Sequence, residues 1–86
     1  MAEIFRLNGF KVVIFSDDHD PPHVHIRKGD FEVKIDISDD RATLMIGEEN
    51  SKRAADQKLR KRALKIANDN LTMLMNEWRQ IDAERS

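Results

Sequence analysis

The chain has 86 residues, 40% hydrophobic and 36% charged, with a formal net charge of −1 and no cysteine. This length suits one small core, and the lack of cysteine excludes disulfides and thiolate metal sites. No apolar run approaches the ~20 residues that cross a bilayer, so we expect no membrane association. The first residues lack the charged-then-apolar pattern of a signal peptide, so we expect a cytoplasmic protein.

Charge is distributed unevenly along the chain. Residues 1–51 contain 6 Lys/Arg and 11 Asp/Glu, a net of −5, whereas residues 52–86 contain 9 and 5, a net of +4. The acidic first part and the basic last part either attract one another or form two binding surfaces of opposite sign.

The first element predicted is a β-hairpin. Two apolar, β-branched or aromatic runs, at residues 4–7 and 10–15, flank the pair Asn8-Gly9. Asn-Gly between such runs is a strong hairpin signal, because a type I′ turn needs positive φ at both central positions. A two-residue turn there sets Phe5 opposite Val12. The residues that then share the core face are Phe5, Leu7, Phe10, Val12 and Ile14.

A second hairpin follows. Residues 23–27 and 31–37 alternate polar and apolar side chains, and Gly29-Asp30 between them suits a two-residue turn. A one-residue slip would move every apolar side chain to the other face, so this register is strongly specified. A last strand is predicted at residues 42–46. The inward pairs are Val24 with Ile35 and Ile26 with Val33, and the outward pairs are His23 with Asp36, His25 with Lys34 and Arg27 with Glu32.

The rest of the chain is predicted to be helical, since residues 52–84 contain no glycine or proline. Ser51 or Asn50 is expected to cap the start. The weak helix formers at residues 68–70 leave open a kink or two abutting helices. Apolar residues recur at spacings of three and four, which gives one stripe that can cover a sheet. They are Leu59, Ala63, Ile66, Ala67, Leu71, Leu74, Trp78 and Ile81.

Together these elements predict an α+β fold. It consists of a four- or five-stranded, mainly antiparallel sheet of two hairpins plus a strand, packed on one face by a long C-terminal helix. We expect a single domain over residues 1–86, with a β-sheet portion at 1–47 and a helical portion at 51–84.

All three histidines fall within seven residues, beside aspartates and a Pro-Pro pair. A His-x-His pair on a strand projects both rings to one face, about 6–7 Å apart, so His23 and His25 can share one divalent metal such as zinc. His19, or an aspartate of the preceding loop, is the candidate third ligand. Asp36, across the hairpin from His23, is a candidate fourth ligand or ring-orienting acceptor.

The same residues allow two other interpretations. In the first, Asp36 prepares His23 or His25 as a metal-free general acid or base, and Arg27 and Lys34 hold a phosphate or an RNA backbone. In the second, the cluster only satisfies polar groups of the loop. The pattern does not discriminate between them, and whether the protein is an enzyme stays open.

Two surfaces are predicted to bind partners. A basic row lies opposite the apolar helical stripe and can track the phosphates of RNA, although such faces are often only solvated. Apolar residues expected to be exposed on the second sheet face suggest a homodimer. The basic residues are Lys58, Lys61, Arg62 and Lys65, and the apolar residues are Ile4, Val13 and Phe15.

One family shares much of this pattern. The strand at residues 4–6, Gly9, the segment Asp-Asp-His-Asp-Pro-Pro-His-Val-His at 17–25, Gly29 and the basic-apolar helix reaching Trp78 all take part. In these features the chain resembles the bacterial family known as domain of unknown function 4160. Members often have Leu-Pro before the helix, where this chain has Leu-Arg.

The resemblance implies candidate functional residues and a partner. The family is similar to small components of bacterial toxin–antitoxin-like gene pairs, so we expect an interaction module that contacts RNA or a small protein partner. The alternative is a divalent-metal-binding protein or a metal-dependent hydrolase that uses His19, His23 and His25. The family motif maps onto His19, Pro21, Pro22, His23 and His25.

Overall fold

In the computed structural model, which describes residues 2–85, five strands form one antiparallel sheet in sequential order. Two short 3-10 turns then lead to two α-helices, α1 and α2. The predicted α+β class is confirmed. The strands are β1 (Ala2–Leu7), β2 (Phe10–Ile14), β3 (His23–Lys28), β4 (Phe31–Asp36) and β5 (Thr43–Leu44), the 3-10 turns are Glu48–Asn50 and Lys52–Ala54, and the helices are α1 (Gln57–Asp69) and α2 (Leu71–Arg85).

The first hairpin has the predicted turn and register. Asn8 and Gly9 have φ values of 51° and 84°, as a type I′ turn requires, and Phe5 lies opposite Val12. The sequence did not predict the irregularity between Glu3 and Phe5, where the register shifts. The prediction that Leu7 belongs to the core is wrong: this side chain is 42% exposed, because it ends an edge strand beside the turn.

The second hairpin has all five predicted pairs. The last strand is shorter than predicted, at Thr43–Leu44. Beyond it, the Met45 N–H donates to the Lys34 carbonyl at 3.0 Å, and the Lys34 N–H donates to a Glu48 carboxylate oxygen at 2.8 Å. A side chain therefore takes the place of a strand along the free edge of β4.

The core lies between one sheet face and the helices. Because side chains alternate along each strand, Val24 and Ile26 point into it while their neighbours point away. Helix α1 covers this face, and the start of α2 continues the same apolar stripe, as predicted. The buried members are Phe10, Val12, Ile14, Val24, Ile26, Phe31, Val33, Ile35, Ile37, Ala42, Ala54, Ala63, Ile66, Ala67, Leu74 and Trp78.

The prediction that Ser51 or Asn50 caps the helix is wrong, and Asn50 lies within the first 3-10 turn. Ser51 precedes a 3-10 turn and makes no capping hydrogen bond through its side chain. The cap of α1 is Asp56, whose carboxylate accepts from the N–H groups of Lys58 and Leu59 at 3.0 and 3.1 Å. The chain turns twice before α1 because Ala54 packs into the core with 0% exposure.

The interruption near residues 68–70 is present, and it separates two abutting helices. Asn70 lies between α1 and α2, and its side-chain amide donates to the Ile66 carbonyl at 2.8 Å. The Asn70 carbonyl in turn accepts from the Leu74 N–H at 2.9 Å. Among residues 2–85, neither helix combines the length and the apolar character needed to cross a membrane.

Candidate metal centre

Two buried histidines lie at the start of β3. His23 and His25 point to the sheet face opposite Val24, and their ring centroids are 5.2 Å apart. The convergence of the two rings agrees with the sequence pattern. However, the residues are only 5% and 6% exposed, so they do not form part of an open polar surface.

Aromatic side chains enclose the two rings. The indole of Trp78, from α2, lies 5.4 Å from the His23 ring, and Phe15 packs edge-on against His25 at 4.5 Å. Val13, directly opposite His25, is 1% exposed. The prediction of an exposed apolar patch is therefore wrong for Val13, and Ile4 and Phe15 are half-buried.

The loop between β2 and β3 brings a carboxylate to the histidines. The Asp18 carboxylate accepts from the Phe15 N–H at 3.0 Å, and the Asp18 N–H donates back to the Phe15 carbonyl at 3.1 Å. One oxygen of this fixed carboxylate lies 3.5 Å from His23 Nε2, and the other lies 3.3 Å from His25 Nε2. We refer to Asp18, His23 and His25 as the Asp-His-His cluster; one ligand atom from each lies within 4.8 Å of the others.

The tautomer of His23 is determined by a backbone contact. Its Nδ1 lies 2.9 Å from the Pro21 carbonyl, which can only accept, so Nδ1 carries the proton. In the neutral ring, Nε2 then presents a lone pair to the Asp18 carboxylate. Two acceptors that face each other repel unless a proton or a cation lies between them.

His25 faces a second carboxylate, that of Glu32, in addition to Asp18. Its Nδ1 is fully enclosed and has no hydrogen-bond partner among the described residues, with a Glu32 oxygen 3.6 Å away. The other Glu32 oxygen pairs with Arg27 at 3.0 Å and Arg53 at 3.3 Å. Whichever nitrogen of neutral His25 is protonated, the other directs a lone pair toward a carboxylate. A proton or a cation between these groups would remove the repulsion.

The comparisons with known proteins place this site within a family. The family model described as "Domain of unknown function (DUF4160)" matches residues 9–79. The chain belongs to this family. The matched span contains the complete Asp-His-His cluster and Trp78. Neither the curated proteins nor the solved structures gave a match.

Two other residues predicted for the site lie outside the cluster of this DUF4160 domain. His19 is exposed and is not brought together with His23 and His25. Asp36 is the register partner of His23, but its carboxylate accepts from the N–H and the hydroxyl of Ser38 at 2.8 and 2.6 Å. The carboxylate beside the two rings is that of Asp18.

The sequence predicts an aspartate of the preceding loop as a candidate ligand, and three aspartates, at 17, 18 and 20, satisfy that description. The signal for Asp18 is the segment Phe15-Ser-Asp-Asp directly after a strand, since aspartates commonly bond backbone groups two or three residues away. The sequence pattern indicates only structural roles for Glu32 and Trp78. No local pattern indicates that α2 returns to the start of β3.

The predicted binding residues lie on separate surfaces. Arg27 is half-buried and paired with Glu32, and Lys34 is exposed. Because His23 and His25 are buried, these four residues do not form one continuous contact face. The basic residues of α1 are exposed as predicted, with Lys65 paired to Asp69 at 2.9 Å. They are Lys58, Lys61, Arg62 and Lys65.

Proposed function

We propose that this DUF4160 domain binds a divalent transition-metal ion through Asp18, His23 and His25. The observation that carries the proposal is that one Asp18 oxygen, Oδ1, lies near both rings, at 3.5 Å from His23 Nε2 and 3.4 Å from His25 Nε2. Bonds of about 2.0–2.1 Å at tetrahedral angles separate neighbouring ligand atoms by roughly 3.3 Å. Direct N–H···O hydrogen bonds are shorter, at about 2.9–3.0 Å. The spacing thus suits a shared ion.

The charge balance of the cluster supports the same proposal. With Nδ1 of His23 donating to Pro21, both Nε2 atoms can direct lone pairs toward one ion. Nδ1 of His25 would then carry the proton and face Glu32, which is the carboxylate–histidine–metal arrangement common around bound metals. A metal cation at this position would remove the repulsion between the ring lone pairs and the Asp18 carboxylate.

The donor set favours metals that accept imidazole, such as zinc, over magnesium or calcium. The side chains are well enclosed, with exposures of 6%, 7% and 14% for His23, His25 and Asp18. Since little of the cluster is open to a substrate, we propose metal binding in preference to metal-dependent hydrolysis. The ion would tie the loop of residues 15–22 to β3, beneath Trp78.

Titration of zinc into tag-free, chelator-treated protein tests the proposal. We expect one zinc per chain by calorimetry and elemental analysis, together with a change in the fluorescence of Trp78, the only tryptophan of the chain. Zinc at 100 times its Kd should raise the free energy of unfolding by about 2.7 kcal/mol. Magnesium at the same concentration should have no such effect.

Matched variants locate the site. Asp18→Asn and His25→Gln should each abolish stoichiometric zinc binding, whereas His19→Gln should retain it, because His19 is exposed and outside the cluster. Wild-type protein that binds no zinc at stoichiometric concentration would contradict the proposal. Equal losses in His19→Gln and His25→Gln would also contradict it.

As a second candidate function, we propose contact with RNA or a small protein partner of toxin–antitoxin type. The observation that favours it is the basic row of α1, whose four side chains are all exposed. A row of cations along two helical turns can follow phosphates and release their counterions. Alanine at Lys61, Arg62 and Lys65 should weaken RNA binding and reduce its salt dependence. Unchanged binding would remove this face from the function.

A further inference from the structure

A second concentration of polar groups lies at the other end of the sheet. The turns Asn8-Gly9 and Gly29-Asp30 bring the tips of the two hairpins side by side, and a hollow of about 260 Å³ lies between them. We refer to it as the turn hollow. The residues that line it include three that carry a positive charge and none that carries a carboxylate: Gly9, Lys11, Arg27, Lys28 and Gly29.

Cations face one another across these strands. Lys11 of β2 is directly opposite Arg27 of β3 and, on its other side, directly opposite Arg6 of β1. Like charges at directly opposite positions of a sheet destabilise the pairing. Arg6 is paired with Glu3 and Arg27 with Glu32, which partly compensates at the two flanks. An anion beside Lys11 would remove the repulsion at the centre of the row.

Lys28 is held in place at the hollow. Its ammonium donates to the Asn8 carbonyl at 3.3 Å and lies 5.0 Å above the centre of the Phe10 ring. A Cβ on Gly9 would stand 3.2 Å from Lys28 Cε, so glycine at this turn gives the lysine chain room to cross the hairpin tip. The cation is therefore positioned before any ligand arrives.

We propose that the turn hollow binds a single phosphate group. Its volume lies below the roughly 300–1,000 Å³ of sites that hold drug-sized molecules, so it suits a small anion. Lysine and arginine are the side chains that bind phosphate most strongly, through charge-assisted hydrogen bonds. The group would be either free inorganic phosphate or a phosphodiester of a nucleic acid.

NMR titration of the metal-free protein tests this site separately from the metal proposal. Inorganic phosphate, added at constant ionic strength against a chloride control, should shift the amide signals of Gly9 and Gly29. Lys11→Gln and Lys28→Gln should each weaken phosphate binding about tenfold. Arg79→Gln, which removes an exposed cation of α2 far from the hollow in the chain, should leave the affinity unchanged.

Parallel titrations with dimethyl phosphate and a short oligouridylate distinguish the two sources. Tighter binding of inorganic phosphate supports a free-phosphate site, and tighter binding of the oligonucleotide supports a nucleic-acid contact. Shifts no larger with phosphate than with chloride would overturn the proposal, as would equal weakening in Lys11→Gln and Arg79→Gln. Neither result would bear on the Asp-His-His cluster, which shares no residue with the hollow.

Discussion

The end of the sheet that carries the two hairpin turns and the end that carries the loop of residues 15–22 are built in different ways. At the turn end, neighbouring residues determine the structure, and Asn8 and Gly9 supply the two positive φ values of the first turn. At the loop end, Asp18, His25 and Trp78 come from three separate segments. The structure of the turn end is therefore determined by residues adjacent in sequence. The structure of the loop end is determined by packing between distant segments.

The largest expected effect is at the loop end. Trp78 is 2% exposed and contacts both the core and His23, so Trp78→Ala should lower the free energy of unfolding by about 3–5 kcal/mol. Urea unfolding measures the loss. Met73→Ala, in the same helix but at 36% exposure, should change it by less than about 1 kcal/mol.

If Trp78→Ala does not fold, Trp78→Phe keeps the comparison measurable, with an expected loss of about 1–2 kcal/mol. Similar losses for the Trp78 and Met73 variants would show that α2 does not hold the loop end together.

A smaller effect is expected at the turn end. Gly9 has a φ of 84°, so Gly9→Ala should cost about 1–2 kcal/mol through backbone strain. The matched control is Asn8→Gly, which relieves the only other positive φ of this turn and should lie within about 0.5 kcal/mol of wild type. A loss in Gly9→Ala as large as that in Trp78→Ala would contradict a locally organised turn end.

The smallest effect concerns the edge strand β1. The hydrogen bond from the Arg6 guanidinium, at 2.9 Å, holds the pKa of Glu3 below its ordinary value. A carboxyl whose folded pKa is lowered stabilises the fold above its unfolded pKa, and that contribution disappears as the pH falls through the folded pKa. Arg6→Gln should raise the pKa of Glu3 in an NMR titration. An unchanged pKa would show that the contact does not persist in solution.

Much of the sheet could be predicted because two-residue turns leave little freedom in register. Once Asn8-Gly9 and Gly29-Asp30 are recognised, the pairing of Phe5 with Val12 and of His23 with Asp36 follows. The pairing of backbones does not determine the contacts of side chains, however. The Asp36 carboxylate accepts a hydrogen bond from Ser38 instead of facing His23. The carboxylate that lies beside His23 is that of Asp18, in the loop between β2 and β3.

The start of the helix shows a second limit. Ser51 and Asp56 are both good N-cap residues, so local preference does not choose between them. The choice depends on Ala54, which is buried and whose carbonyl accepts from Arg60 Nε at 2.9 Å. The observed start therefore goes with a tertiary contact of Ala54 that the local sequence pattern does not contain.

The contact between Glu48 and the Lys34 N–H has a consequence for self-association. A strand edge with free N–H and carbonyl groups is a template on which another chain can add, and this is a common route to aggregation. Here the Glu48 carboxylate accepts the hydrogen bond of the Lys34 N–H, next to the two-residue strand β5. A foreign strand would have to displace a charged side chain to extend the sheet on this side, so ordered polymerisation should be disfavoured there.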